Sequence, residues 1–336
     1  MNDRIPLETM LDVFVRNLVK VGFERDRAHR CASIFADNSA VGVSSHGLNR
    51  FSEFVDFVRR GIVNPAAEMA CTARFGAWEQ WNGQLGPGPL NACDATTRAI
   101  ELARQHGIGC VGLQQTNHWM RGGYYGWMAA EEGLAFMAWT NTKPNMPPWG
   151  ATDCHLGNNP LVLAVPRQSG PIVLDMAMSQ FSFGRLETHL REGKPLSVVG
   201  GYDADGAVTT DPGAILNSNR ILPIGCWKGA GLSMLLDSMA ALVSGGGDTT
   251  YRIGQRDPEY GVSQVYIAVD VARAGGSSWV DGLMDELVAD LRTSHPTGEN
   301  GDVRYPGQRV LAMRRESLEK GVPVDPEIWE QVLSGL

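Results

Sequence analysis

The hydrophobic pattern of this chain changes twice, and those changes limit the folds that it can adopt. Residues 1–62 carry apolar side chains three and four apart, which predicts three helices. From about Cys71, short apolar runs alternate with helical patterns, which predicts strands and helices in turn. Asp325-Pro326 is a good cap and first position for a last helix. The two ends are therefore expected to pack together as one helical unit beside an α/β core.

The predicted elements follow from periodicity and from end signals. Helices are predicted over 6–20, from Asp26, from Gly47 to Gly61, and over 90–105, 126–133, 232–242, 279–293 and 327–333. Strands are predicted over 108–113, 134–140, 161–166, 171–175 and 265–270, with a hairpin turn at 168–170. The predicted division is a helical domain of residues 1–70 with 305–336 and an α/β domain of residues 71–304 that binds cofactor and substrate.

The composition excludes several classes of function. The chain has 336 residues, 43% of them hydrophobic and 20% charged, as in ordinary globular proteins. A net charge of −8 without a basic stripe argues against nucleic-acid binding. The longest apolar runs are too short to cross a membrane. Six irregularly spaced cysteines and a polar N-terminus indicate a cytoplasmic protein with reduced thiols.

The stretch Ser45-His46-Gly47-Leu48-Asn49-Arg50 is the first candidate for chemistry. If a helix begins at Gly47, then His46 and Arg50 are four residues apart and share a face. An imidazole can pass a proton to a carbonyl oxygen, and a guanidinium can bind a carboxylate through two hydrogen bonds. A 2-oxo acid carries both groups side by side and would suit this pair. A helix cap with a surface arginine is the alternative, and taken alone it is favoured.

Three further loops carry polar groups beside predicted elements. His118 follows a strand, Asp175 ends one, and Lys228 lies in a glycine-rich loop before a helix. For His118, a loop after a strand is a common place for a ligand site. For Asp175, a buried carboxylate needs a partner, such as a histidine. For Lys228, a helix N-terminus that carries a lysine can bind an anion. The alternatives are a histidine hydrogen-bonded to the backbone for His118, a helix cap or turn contact for Asp175, and a solvent-facing side chain for Lys228.

Familiar binding fingerprints are absent from the sequence. No strand is followed by G-x-G-x-x-G, so a dinucleotide would have to bind by a device other than the Rossmann fingerprint. The stretch Asp203-Ala204-Asp205-Gly206 lacks the closing glutamate of a calcium loop and predicts a hairpin turn. No metal site is predicted.

Several of these segments together resemble one family. The matching stretches are Ser45-His46-Gly47-x-x-Arg50, Asn117-His118-Trp119-Met120-Arg121-Gly122-Gly123, Met146-Pro147-Pro148-Trp149-Gly150, Leu174-Asp175-Met176 and Ile221-Leu222-Pro223-Ile224-Gly225-x-Trp227-Lys228-Gly229. They run over nearly the whole chain and resemble the malate/L-lactate dehydrogenase-like family of NAD(P)H reductases that lack a Rossmann domain.

The resemblance implies a fold, a cofactor and an assembly. The fold would be a non-Rossmann α/β domain with a mixed sheet flanked by helices, plus an all-α domain from both termini. The protein would be a homodimer that uses NADH. The implied cofactor-binding residues are Thr142, Pro171, Ile172, Val173, Leu174, Asp175, Met176, Ala177, Trp227, Lys228, Gly307, Gln308 and Arg309.

Two points of the resemblance leave alternatives open. In the branch that the chain resembles most, the position of Arg309 is acidic, so Arg309 is a departure that would favour a ribose phosphate and leaves NADPH open. The resemblance implies His46 as the proton donor. In another branch, the ureidoglycolate dehydrogenases, the histidine that matches His118 has the acid/base role.

The sequence therefore favours a reductase of a 2-oxo acid, with a sugar-derived diketo acid as the preferred substrate. The hydride goes to the carbonyl carbon, His46 supplies the proton and Asp175 orients it. Arg50 holds the carboxylate, and Arg121 helps to bind the substrate. A malate, lactate or ureidoglycolate dehydrogenase is the alternative within the family, and a non-catalytic binding protein for a small ligand is the alternative outside it.

Overall fold

The computed structural model of the protein describes residues 3–297 and 303–335. Its first part is helical, as the sequence predicts. Strand β1 (Asp3–Ile5) precedes helices α1 (Leu7–Lys20), α2 (Arg25–Ala40) and α3 (Leu48–Arg59), with a 3₁₀ turn at Ser44–His46 before α3. The chain ends with helix α12 (Gln308–Lys320), strand β11 (Val322–Val324) and helix α13 (Pro326–Leu333).

The two ends of the chain share one hydrophobic core. Strand β1 pairs antiparallel with β11, from Asp3 opposite Val324 to Ile5 opposite Val322. The side chains of Trp329 and Val332 are buried against those of α1, α2 and α3. Joining the ends in this way buries apolar faces that neither end could cover alone. The domain division itself stays a prediction.

The middle of the chain forms one seven-stranded mixed sheet. The strands are β2 (Ala70–Phe75), β3 (Trp78–Asn82), β4 (Ile108–Thr116), β5 (Ala135–Thr140), β6 (Leu161–Val165), β7 (Ile172–Met176) and β10 (Val262–Val269). Their spatial order is β2-β3-β4-β10-β5-β6-β7. Only the β3–β4 pair is parallel. A Rossmann sheet is mostly parallel, so this topology agrees with the non-Rossmann prediction.

Helices lie on both faces of the sheet, and the rest of the chain surrounds it. Helices α4 (Gly88–His106) and α5 (Gly123–Glu131) pack on one face, and α8 (Trp227–Ser244) packs on the other. The remaining elements are α6 (Phe183–Arg191), β8 (Gly201–Tyr202), β9 (Val208–Thr209), α7 (Pro212–Ser218), α9 (Thr250–Ile253), α10 (Ala272–Gly275) and α11 (Ser277–Arg292). In the described ranges, no helix is long and apolar enough to span a bilayer.

Most predicted elements are confirmed, with shifts at their ends. The hairpin across 168–170 joins β6 to β7, and the turn at Asp203 joins β8 to β9. The predicted cap of α2 is wrong: the carboxylate of Glu24, not Asp26, accepts the N–H groups of Asp26 and Arg27. Helix α12 and strand β1 were not predicted as elements. The predicted polar loop over 295–303 lies mostly outside the described residues.

We expect Phe51→Ala to destabilise the protein by about 3–5 kcal/mol, because it leaves a cavity in the shared core. The rings of Phe51 and Phe14 are fully buried and stack with centroids 4.1 Å apart. Phe75 is 56% exposed, so Phe75→Ala should cost about 1 kcal/mol or less. Urea denaturation of both variants makes the comparison, and equal losses would contradict a core at Phe51.

Candidate functional site

Close contact between Gly47 and helix α2 fixes the position of His46. A Cβ added to Gly47 would lie 2.2 Å from Oγ of Ser39 and 2.8 Å from the carbonyl oxygen of Phe35, so only glycine fits there. The Ser39 hydroxyl accepts the N–H of Leu48 at 2.9 Å, and the Asn38 amide donates to the carbonyl of His46 at 3.0 Å. The 3₁₀ turn that carries His46 is therefore held on α2.

The loop after β4 holds the second histidine. The amide of Asn117 donates to the carbonyls of Leu85 and Gly86 at 2.9 and 3.0 Å. Met120 has φ +66°, a strained value for this residue type, and its N–H donates to Nδ1 of His118 at 3.0 Å. Because Nδ1 accepts this hydrogen bond, the neutral His118 ring carries its proton on Nε2.

The two histidines form a stacked pair. The ring centroids of His46 and His118 are 5.7 Å apart, with an angle of 18° between the planes. Burial, Arg50 and the neighbouring His46 hold the pKa of His118 well below its usual value. Burial also lowers the pKa of His46, the charge of Asp175 opposes that shift, and Arg50 and Arg121 add to it. Two imidazoles this close disfavour a second proton, which suits a single proton transfer.

Arg50 stands beside both rings, in the first turn of α3. It lowers the pKa of His46 and of His118 through its charge. Its guanidinium pairs with the carboxylate of Glu53 at 2.7 Å. Arg50 and His118 line one small cavity together with Glu259. The sequence predicts that His46 and Arg50 share a pocket, whereas the histidine that lines this cavity with Arg50 is His118.

Glu259 is a site residue that sequence reasoning missed. Its carboxylate accepts the N–H of Lys143 at 2.7 Å, and burial raises its pKa. Lys143 and Arg50 oppose that rise through their charges. The only signal in the sequence is an acidic residue shortly before a buried strand, and such a residue is usually a surface group.

Asp175 and Arg121 also act on His46 through their charges. The carboxylate of Asp175 accepts the N–H of Gly123 at 2.7 Å, and it acts on His46 through its charge. A Cβ at Gly123 would lie 2.9 Å from that same oxygen. The guanidinium of Arg121 is buried, and burial lowers its pKa while Asp175 and Asp37 oppose the shift. The site therefore places a second arginine near the histidine pair.

Arg121 also lines a cavity of about 270 Å³ between α2, α5 and α12. Arg314 and Asp37 line it too, and they form an ion pair at 3.3 Å. Trp127 is buried at the same cavity, and its ring N–H has no hydrogen-bond partner within the part of the chain that the structure describes. An unsatisfied buried donor favours a ligand with an acceptor at this position.

The candidate cofactor segments come together along β7. The N–H of Val173 donates to the carbonyl of Pro306 at 3.3 Å, which places Gly307 against the strand. A Cβ at Gly307 would lie 3.1 Å from the Val173 nitrogen. Gln308 and Arg309 begin α12 there, and Arg309 is exposed. Pro171 precedes β7, which contains Ile172, Leu174 and Met176, and Ala177 follows it.

The loop that carries Trp227 and Lys228 contacts the segment that follows β7. Beyond β7, the N–H of Ile224 donates to the carbonyl of Met178 at 2.8 Å, and Ser179 forms a bridge with Pro223. This contact brings the N-terminus of α8 to the end of the strand. Trp227 is the first residue of that helix and is 66% exposed.

Thr142 joins this region through a buried amide network. Its hydroxyl can donate its one hydrogen to Oδ1 of Asn158 at 3.1 Å or to Oδ1 of Asn159 at 3.2 Å. The carbonyl of Asn158 accepts the N–H of Met178, and the Asn159 amide donates to Ser233 of α8. Thr142 therefore links the end of β5, through Asn158, to the segment that follows β7. In the described ranges, no three His, Cys, Asp or Glu side chains gather as they would around a metal ion.

Comparison with known proteins gives a consistent result. A model of the malate/L-lactate dehydrogenase family matches residues 5–333. The 2,3-diketo-L-gulonate reductase of Escherichia coli O17:K52:H18 (strain UMN026 / ExPEC) is 41% identical over 330 residues, which are 98% of this chain and 99% of that protein. The 2,3-diketo-L-gulonate reductase of Pasteurella multocida (strain Pm70) is 40% identical over 332 residues, which are 98% of this chain and 99% of that protein.

A solved structure gives the same result for the fold. Sulfolactate dehydrogenase from Methanocaldococcus jannaschii superposes with a TM-score of 0.90 at 26% identity, covering 99% of this chain and 96% of that one. The similarity therefore extends over the helical ends as well as the sheet.

We expect Asp175→Asn to lower the pKa of His46 further, because it removes the negative charge that opposes the effect of burial. Asparagine keeps an oxygen that can accept the N–H of Gly123. Titration of the histidine ring protons by NMR measures the shift. Asp153→Asn is the matched control, since the exposed Asp153 contacts His155 instead. An unchanged His46 pKa in Asp175→Asn would contradict this account of the site.

Proposed function

The chain belongs to the malate/L-lactate dehydrogenase family, and from that premise we propose that it is an NADH-dependent reductase of a 2-oxo acid, converting 2,3-diketo-L-gulonate to 3-dehydro-L-gulonate. As a member of this family the protein is an NAD(P)-dependent oxidoreductase. The substrate is proposed from the relatives that are 40 and 41% identical over 98% of the chain.

The observation that carries the proposal is the stacked pair of His46 and His118 beside Arg50. A 2-oxo acid bound there would place its carboxylate on the guanidinium and its carbonyl oxygen near an imidazole. The anionic carboxylate would raise the low pKa of the histidines, because it favours their protonated form. Substrate binding would therefore load the pair with the proton that reduction needs.

The roles of the side chains follow from this arrangement. His46 donates the proton to the carbonyl oxygen, and His118 is its partner or its replacement in that role. Asp175 favours the protonated form of His46 through its charge. Arg50 holds the substrate carboxylate, and Arg121 helps to bind the substrate.

The residues along β7 fit a dinucleotide. When bound, the nicotinamide supplies the hydride to the carbonyl carbon. Gly307 packs closely against the backbone of Val173 and so brings the start of α12 onto the strand, and the N–H of Trp127, unpartnered among the described residues, offers a donor there. The proposed contacts are residues 171–177, Trp227, Lys228 and residues 307–309, with Thr142 bracing them. The exposed Arg309 would accept a ribose phosphate, so NADPH is the alternative cofactor.

A homodimer is part of the proposal, and two exposed apolar helix faces support it. On α8, Met234, Leu235, Met239 and Leu242 are 46 to 75% exposed. On α11, Trp279, Leu283 and Leu287 are 47 to 54% exposed. Contiguous apolar surface of this kind usually marks an interface between proteins. We further propose a cytoplasmic location, where the free thiols of all six cysteines would stay reduced.

A substrate panel tests the proposed function. The loss of NADH or NADPH absorbance is followed with 2,3-diketo-L-gulonate, pyruvate and oxaloacetate. We expect the highest kcat/KM with 2,3-diketo-L-gulonate. A preference for pyruvate or oxaloacetate would favour a lactate or malate dehydrogenase. Faster formation of NADH from NAD⁺ and ureidoglycolate, measured separately, would favour a ureidoglycolate dehydrogenase. Tight NADH binding without turnover of any of these compounds would favour a non-catalytic binding protein.

Replacing the proposed proton donor tests the mechanism. His46→Ala should lower kcat by roughly 10²–10⁴-fold, because a positioned acid contributes that much to such a step. NADH binding, measured by fluorescence titration, should persist. His118→Ala is the matched variant that ranks the two histidines. Unchanged turnover in His46→Ala would remove His46 from the mechanism.

A further inference from the structure

The small cavity beside the proposed carboxylate site has an unusual set of polar groups. Its volume is about 20 Å³, the room of one water molecule. The lining polar side chains are those of Arg50, Glu53, Asn117, His118 and Glu259. Three of these five are acceptors facing a space that the proposed function leaves unassigned.

The acceptors in this cavity have fewer donors than they can use among the described residues. The amide nitrogen of Asn117 is used by backbone carbonyls, but its buried Oδ1 has no partner among the residues that the structure describes. Glu259 accepts one N–H, from Lys143. A carboxylate has about four acceptor sites, so most of those on Glu259 stay available. A ligand that brings O–H donors would satisfy these groups, whereas a ligand without donors would leave them unpaired.

Glu53 lines the cavity and forms an ion pair with Arg50. The two side chains are 42 and 39% exposed, and a pair exposed to that extent contributes little to stability. Arg50 can therefore leave Glu53 for a substrate carboxylate at small cost. That exchange would free the carboxylate of Glu53 to accept hydrogen bonds beside that of Glu259.

We propose that Glu259 and Glu53 determine substrate specificity by binding the hydroxyl groups of a polyhydroxylated 2-oxo acid. This inference rests on the proposed function and names the residues that select among 2-oxo acid substrates. A second acid group, as in oxaloacetate, meets two carboxylates after Arg50 has bound the first, and like charges repel. Pyruvate has no hydroxyl group to offer and leaves the acceptors unpaired. A hydroxylated tail both satisfies the acceptors and avoids the repulsion.

The test compares kcat/KM for 2,3-diketo-L-gulonate, oxaloacetate and pyruvate in the wild type, Glu259→Gln and Glu53→Gln. Glutamine keeps the shape but removes the charge and adds a donor that a second carboxylate can use. We expect the ratio of kcat/KM for 2,3-diketo-L-gulonate to that for oxaloacetate to fall by roughly ten- to hundredfold in Glu259→Gln. It should fall in the same direction in Glu53→Gln, which leaves the Lys143 contact in place.

The ratio separates specificity from folding and from the proposed function. A folding defect lowers kcat/KM for all three substrates by the same factor and leaves the ratio unchanged. Glu330→Gln, an exposed change on α13, is the matched control and should keep the wild-type ratio. A wild-type ratio in both site variants that still reduce 2,3-diketo-L-gulonate would overturn the inference alone. Absence of turnover by the wild type on every 2-oxo acid would instead overturn the proposed function.

Discussion

The contact between Gly47 and helix α2 is the constraint on which the candidate site depends. Ser39 caps α3 through the N–H of Leu48, and the missing side chain at Gly47 lets the two helices meet. This junction sets His46 beside His118, which comes from the loop after β4 and so from the sheet. The site is therefore built where the helical ends of the chain meet its central sheet.

The charges and the burial around this junction determine the protonation of the two histidines. Burial pushes both histidines towards their neutral forms, while Arg50 and Arg121 add positive charge around them. An anion is the ligand that relieves this imbalance, and it does so by making a protonated imidazole more favourable. In the proposed function, the low pKa values and the two arginines are parts of one arrangement, in which binding an acid prepares a proton for transfer.

The sequence predicted the fold well because most elements have strong local signals. Periodicity located α1, α3 and the β6–β7 hairpin, and the Asp325 cap of α13 is confirmed. It did not locate β1 or α12, because three residues carry little pattern and α12 buries only Ser317. The histidines and arginines stood out as motifs, whereas Glu259 joins them only through tertiary packing, which one sequence does not reveal. The roles of the site residues stay proposals.

The position of β7 has a consequence for how the family can change. Among the described residues it is the last strand of the sheet, paired with β6 on one side only. A ligand beside such a strand meets its main chain, and main-chain groups are the same whatever the side chains are. If the cofactor binds along β7 as proposed, substitutions of side chains on this strand can accumulate without loss of the main-chain contacts, so relatives with divergent sequences there could retain one coenzyme.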